Sequence, residues 1–270
     1  MPLKPHHIPL RRAALGLALS CAASFACAHD SWFEPRTTPA GAPTLAFGTG
    51  NQFPVLETAI DFPYVVHHGC RTGAAPSQPM GALRLAPDAL LMDPPASPQP
   101  GRVCWIALTP FDVEVPLDKV ELYLKEINAS AELRATWAAM RARGLPWRET
   151  YTKYARIEWP AASVASAPVD GQGMDATIES ASAQPPRAGQ TVTFRVLRDG
   201  VPLAGQPMEL RSGSVNFGQW SRTGADGRVS YRVPLAGRWV LRGVDLRVAP
   251  NNPDRWDSRF LTLAFEALPK

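Results

Sequence analysis

Thr191-Val192-Thr193-Phe194-Arg195-Val196-Leu197 is the stretch whose reading decides the fold. Apolar and polar residues alternate through it, the two-residue period of a half-buried β-strand. Arg198-Asp199-Gly200 turns the chain, and Met208 to Arg211 makes a second strand. Asp226-Gly227, flanked by strand residues, carries the strongest short hairpin signal. Val229 to Val233 alternates again, Gly237 breaks the run, and Trp239-Val240-Leu241 opens another strand. Phe260 to Phe265 closes the series. Short strands with turn signals at regular spacing, and no helical period, predict an antiparallel, Ig-like β-sandwich over residues 176–270.

Upstream, Ala161 to Pro186 is rich in Ala, Ser, Pro, Gly and Gln and reads as a linker, assigned to 161–175 with the boundary near Gly171-Gln172-Gly173. The half before it, residues 29–160, is mixed but β-rich. Thr44 to Phe47, Tyr64 to His67 and Val103 to Leu108 read as strands, and the Pro-rich Pro94 to Pro100 as loop. Asp118 is placed to cap one helix and Ser130 a second, whose Leu133, Trp137 and Met140 share a face. That stripe reads as core packed on a sheet. The expectation is a mainly β protein with a short amphipathic helical pair in its N-terminal half.

Residues 1–28 have the build of an export signal. Lys4, Arg11 and Arg12 give a positive start, Ala13 to Phe25 is apolar, and Ala26-Cys27-Ala28 is a small-residue cleavage site. Arg11-Arg12 lacks the flanking pattern of a twin-arginine signal, and Ala18 does not suit a lipoprotein site at Cys21. Cleavage before His29 would leave a periplasmic protein that does not span the membrane. Of the 28 Lys and Arg, three lie in this leader, with none of the 24 Asp and Glu, so the remainder carries a net charge of only +1. No basic patch argues for nucleic acid. Cys70 and Cys104 remain as an even pair, which in an oxidising compartment reads as one disulfide, with two buried thiols as the other reading.

Three histidines remain as well: His29, His67 and His68. An N-terminal His29 would offer its α-amine and ring nitrogen to one metal ion in a single small chelate ring, a donor pair suited to copper, nickel, cobalt or zinc. Asp30 would add an oxygen, and Trp32-Phe33 would bury and hold the terminus still. One of His67 or His68 would supply a third nitrogen; neighbours on a strand face opposite ways, so only one would serve. If Cys70 points inward, His68 shares its face and His67 points outward. The alternative is a pair of exposed histidines at a strand end.

Other chemistries have little support. No nucleophile elbow accompanies the histidines, and Gly48-Thr49-Gly50 is followed by no Lys-Ser/Thr, so it is not a phosphate loop. The charges between Trp147 and Arg156 read as the solvated face of a strand.

Three stretches stand out together: His29-Asp30-Ser31-Trp32-Phe33-Glu34-Pro35, Tyr123-Leu124-Lys125-Glu126, and Trp147-Arg148-Glu149-Thr150-Tyr151-Thr152-Lys153-Tyr154-Ala155. On these the chain resembles the DUF4198 family of secreted bacterial proteins, grouped with periplasmic components of cobalt or nickel uptake systems. Gly200 to Gly205, Ala225 to Arg228 and Gly237-Arg238-Trp239 fit too, less specifically. The resemblance implies a β-rich periplasmic protein with an Ig-like C-terminal part, and carries over only His29 and Asp30 as ligands. The leading expectation is a non-enzymatic carrier or accessory for cobalt, nickel or copper, working with an inner- or outer-membrane transport component. Two others stand beside it: an Ig-like envelope interaction module without metal, and a copper oxygenase built on a histidine brace.

Overall fold

The computed structural model describes residues 29–95, 100–160, 173–179 and 185–270. The leader (1–28), most of the expected linker (161–172) and the middle of the Pro-rich loop (96–99) lie outside these residues. The protein is mainly β, as expected, with seventeen strands and two helices among the described residues.

Three sheets form three layers. The first is built from β1 (Asp30–Thr37), β2 (Pro43–Gly50), β3 (Thr58–Ala59), β5 (Gly81–Leu85) and β6 (Leu90–Asp93), in the order β1-β2-β6-β5 with β3 beside β2. The middle layer has eight strands. β4 (Val65–Thr72), β7 (Arg102–Leu108), β8 (Phe111–Val115) and β9 (Trp147–Trp159) come from the first half of the chain. β13 (Pro207–Ser212), β14 (Gly218–Arg222), β16 (Gly237–Ala249) and β17 (Asn252–Ala267) come from the second. Their order is β14-β13-β16-β17-β9-β7-β4, with β8 also on β9. The third sheet holds β10 (Met174–Glu179), β11 (Thr191–Arg198), β12 (Val201–Pro202) and β15 (Arg228–Arg232).

Side-chain alternation along the middle sheet decides what covers each face. Val240 and Ala264, with Ala155 and Ile157 of β9, pack under Phe33, Leu45 and Phe47 of the first sheet. Farther along the same face, Val244, Leu246, Trp256 and Phe260 pack under the helical pair, α1 (Leu117–Glu126) and α2 (Ala131–Ala142). The opposite face, with Trp239, Leu241, Leu261, Leu263 and Phe265, is covered by Phe194, Val196 and Tyr231 of the third sheet. Trp137 and Met140 are buried, as the stripe predicted, and the Ser130 hydroxyl accepts the Leu133 N–H at 3.2 Å. At α1 the capping position falls to Pro116, and Asp118 sits in the first turn.

Two local expectations change. Asp226-Gly227 closes a turn with Gly227 at φ +75°, where glycine is favoured. It makes no hairpin, because β14 joins the middle sheet and β15 the third: the turn crosses between layers. The strand Trp147–Trp159 exposes Arg148 but is otherwise half-buried or buried. It pairs with β17 in parallel and with β7 and β8 antiparallel, and the first sheet, the helical pair and the third sheet pack on its faces. Glu149, Lys153, Arg156 and Glu158 are all buried. Such charges survive in a core only when partnered. Arg156 Nε donates to Glu158 at 2.6 Å and Nη1 to Asp175 at 3.1 Å. Glu149 accepts from the Tyr123 hydroxyl and the Trp147 indole at 2.9 and 2.8 Å, and from the Ser258 hydroxyl.

Cys70 and Cys104 form the expected disulfide, with sulfurs 2.04 Å apart. They are direct partners across β4 and β7. The Cys70 N–H and C=O both bond to Gln78 on the other side, so the pair facing Cys104 is a non-hydrogen-bonded one, where side chains approach most closely.

Candidate functional site

β1 starts at Asp30, one residue after the expected cleavage point, and three sets of contacts fix its first turn of chain. Trp32 and Phe33 are buried, with Trp32 edge-on to Phe53 at 5.6 Å. Lys153 Nζ reaches up from β9 to donate to the His29 carbonyl at 2.8 Å and to the Ser31 hydroxyl at 3.2 Å. The Ser31 carbonyl accepts from the Thr262 hydroxyl of β17 at 2.6 Å.

Asp30 is buried against Arg242 of β16. Arg242 Nη1 donates to Asp30 Oδ2 at 2.7 Å, Nε to Glu209 Oε2 at 2.7 Å, and Nη2 to the Glu126 carbonyl at 2.8 Å. The Trp220 ring lies 5.4 Å from the guanidinium. Burial works against the charge on Arg242, but Asp30 and Glu209 more than offset it and hold its pKa above the ordinary arginine value. The second carboxylate oxygen, Asp30 Oδ1, is buried and accepts no hydrogen bond among the described residues. Buried polar atoms are nearly always satisfied, so an orphan acceptor is a place to look for a ligand.

That oxygen belongs to a residue lining a cavity of about 370 Å³, at the seam where the first sheet gives way to the helical pair. His29 and Asp30 lie on one wall, Lys119, Tyr123 and Glu126 of α1 on another, and Arg242 on a third. The site joins residues separated by more than 200 positions.

The other two histidines lie elsewhere. His67 lines a separate cavity of about 430 Å³, with Trp105, Thr152, Tyr154 and Arg156. Lys153 reaches His29 from one face of β9, whereas Thr152 and Tyr154 point into the His67 cavity from the other. The Trp105 indole N–H donates to His67 Nδ1 at 3.1 Å. His68 shares the Cys70 face, as alternation predicts, and its Nδ1 accepts from the Met80 N–H at 3.2 Å. Burial, with His67 beside it, pulls the His68 pKa below the ordinary histidine value. Met80 leads into β5, the edge of the first sheet opposite β1, three strand spacings or roughly 14 Å across. His29, His67 and His68 are therefore not brought together, and the three-nitrogen brace is not assembled. Among the described residues no three His, Cys, Asp or Glu side chains cluster as a metal site.

Sequence reasoning passed over Lys153, Glu209 and Arg242. Arg242 left one trace, a lone arginine inside the apolar run Trp239-Val240-Leu241-Arg242-Gly243-Val244. A charge at such a position needs a buried partner, but nothing in the sequence names Asp30 as that partner. No helix among the described residues is long and apolar enough to cross a membrane. No protein-family model matches the chain, and no curated protein does.

Proposed function

We propose that this protein, exported and cleaved before His29, binds a divalent transition-metal ion, cobalt, nickel or copper, as cargo, and acts as a periplasmic carrier or accessory in its uptake or handling. The ligands are the His29 α-amine and ring nitrogen, with Asp30 Oδ1 completing the set. This is narrower than the four residues expected, since His67 lines a separate cavity and His68 accepts from Met80 away from His29. One observation carries the reading: a buried carboxylate oxygen without a partner among the described residues, on the residue next to His29, the two residues lining one cavity. The resemblance of His29 to Pro35 to the opening of a secreted family grouped with cobalt and nickel uptake supports it independently.

The terminus has the rigidity such a site needs. A free peptide His-Asp-Ser would chelate too, but with all the entropy of ordering still to be lost. Here Lys153 and the burial of Trp32 and Phe33 have already fixed the backbone. Asp30 keeps its other oxygen, Oδ2, on Arg242, a contact that orients the carboxylate.

Intact mass of the exported protein, followed by calorimetric titration with Co(II), Ni(II) and Cu(II), tests this. The expected result is a chain starting at His29 that binds one ion, with the affinity changed when a single alanine precedes His29 and removes the chelate ring between its amine and its imidazole. A different start, or binding untouched by that alanine, removes the reading.

A further inference from the structure

On the face of β9 turned away from His29, the third sheet stops short of the middle one. It ends at β10, whereas the middle sheet runs on to β7 and β4. The cavity of about 430 Å³ that His67 lines lies in this step, with Gly173 to Asp175 on one side and β4 on the other. Its floor follows from the strand register. His67 of β4, Ala107 of β7, Tyr154 of β9 and Leu261 of β17 are direct neighbours across four strands. Directly opposed residues share a face, so the short Ala107 side chain leaves a hollow between His67 and Tyr154. Two glycines let the aromatic rings lie close to the backbone. A Cβ at Gly69 would come within 3.0 Å of the Trp105 ring, and one at Gly173, where φ is +129°, would run into the Tyr154 ring. Met174, Leu197 and Leu261 add buried apolar lining.

The polar groups are few, and they narrow what can enter. Arg156 and Asp175, the charged pair of the lining, already meet each other at 3.1 Å. The Trp105 indole donates to His67 Nδ1, so in the neutral ring the hydrogen sits on Nε2. His67 is exposed and therefore presents that N–H as a donor at the mouth of an apolar hollow. We propose that this cavity binds a small uncharged aromatic molecule of one or two rings, lying over Ala107 between Trp105 and Tyr154, with a carbonyl oxygen that accepts from His67 Nε2–H. The volume is in the range of small-ligand pockets, and a largely apolar cleft with a few placed polar groups is their usual form. Flat rings suit the two aromatic walls, which favour stacked or edge-on partners. Such binding is independent of the metal site, which lies across β9.

Ligand-observed NMR titrations with indan-1-one, indane and the indane-1-carboxylate anion test this. Indan-1-one is expected to bind about two- to tenfold more tightly than indane, the difference one hydrogen bond makes, and the anion most weakly. The Trp105 indole N–H resonance should shift as indan-1-one is added. Ala107→Phe fills the hollow from a half-buried position and is expected to abolish indan-1-one binding with an unchanged Tm. His67→Leu should bring indan-1-one to the level of indane. His67→Gln, which can still both accept and donate, should keep part of the preference. Equal affinity for indan-1-one and indane, tighter binding of the carboxylate, or binding that survives Ala107→Phe overturns the proposal. So does an absence of indan-1-one binding at millimolar concentration.

Discussion

Arg242 holds two buried carboxylates at once, Asp30 from the first strand and Glu209 from β13, and closes the wall behind His29. Replacing it with methionine keeps much of the volume but leaves both carboxylates buried without a counter-charge. Arg242→Met is therefore expected to cost about 3–5 kcal/mol in urea unfolding, a loss well beyond that of an exposed ion pair such as Arg84–Asp93. Glu34, on the same strand as Asp30, gives a pH signature. Burial raises its pKa from 4.5 to about 7, against the pull of Arg238 and Arg36. The folded protein thus holds that proton more tightly than the unfolded chain does. The stabilisation is complete below the unfolded value of 4.5 and is lost as the pH rises through about 7. Thermal melts from pH 4 to 8 are expected to show this decline, and Glu34→Gln should flatten it. An unchanged slope in that variant would assign the effect to another group, such as Glu149, which burial also pushes up.

At the scale of elements, the helical pair is fastened by tryptophans. Trp147 of β9 stacks on Trp256 of β17 with ring centres 4.7 Å apart, and Trp137 of α2 meets Trp147 edge-on at 5.0 Å. Trp256→Ala should cost about 3–5 kcal/mol and remove near-UV circular dichroism from the packed indoles. The disulfide works differently. It joins β4 to β7 over a separation of 34 residues, restricting the unfolded chain. Replacing both cysteines with alanine should cost about 2–4 kcal/mol in denaturant midpoint experiments. How readable each element was follows from its surroundings. Strand β11 alternates cleanly because one face is buried and one is wet, so the sequence pattern and the burial pattern coincide. Strand β9 buries four of its five charges, three of them partnered from other strands: Lys153 by the start of β1, Arg156 by Asp175, Glu149 by Ser258. Periodicity sees the charges and reads solvent. The pairing that hides them is set by tertiary neighbours, and the parallel register of β9 with β17 has no local signature.

The whole molecule is organised around that register. Strands from both halves of the chain make one middle sheet, and the first sheet, the helical pair and the third sheet each bury their apolar sides against it. Unfolding is expected to follow one cooperative transition, with fluorescence and far-UV circular dichroism giving coincident curves. Chains 29–170 and 171–270 expressed apart are expected to fail to fold, since each would expose a middle-sheet edge that the other pairs. The same convergence makes the candidate site: His29 and Asp30 come from the first strand, Lys119 and Glu126 from a helix, Arg242 from the far half of the chain. His29 was legible as a candidate from the leader before it. The Asp30–Arg242 contact that shapes its cavity was not, because it spans 212 positions and rests on a single arginine. The most direct test of the account is the electron paramagnetic resonance spectrum of the processed protein with one equivalent of Cu(II). The account predicts nitrogen splitting from two donors, the His29 amine and ring, altered when an alanine is placed before His29 and reduced to that of the amine alone in His29→Ala. A spectrum unchanged by both variants would contradict it.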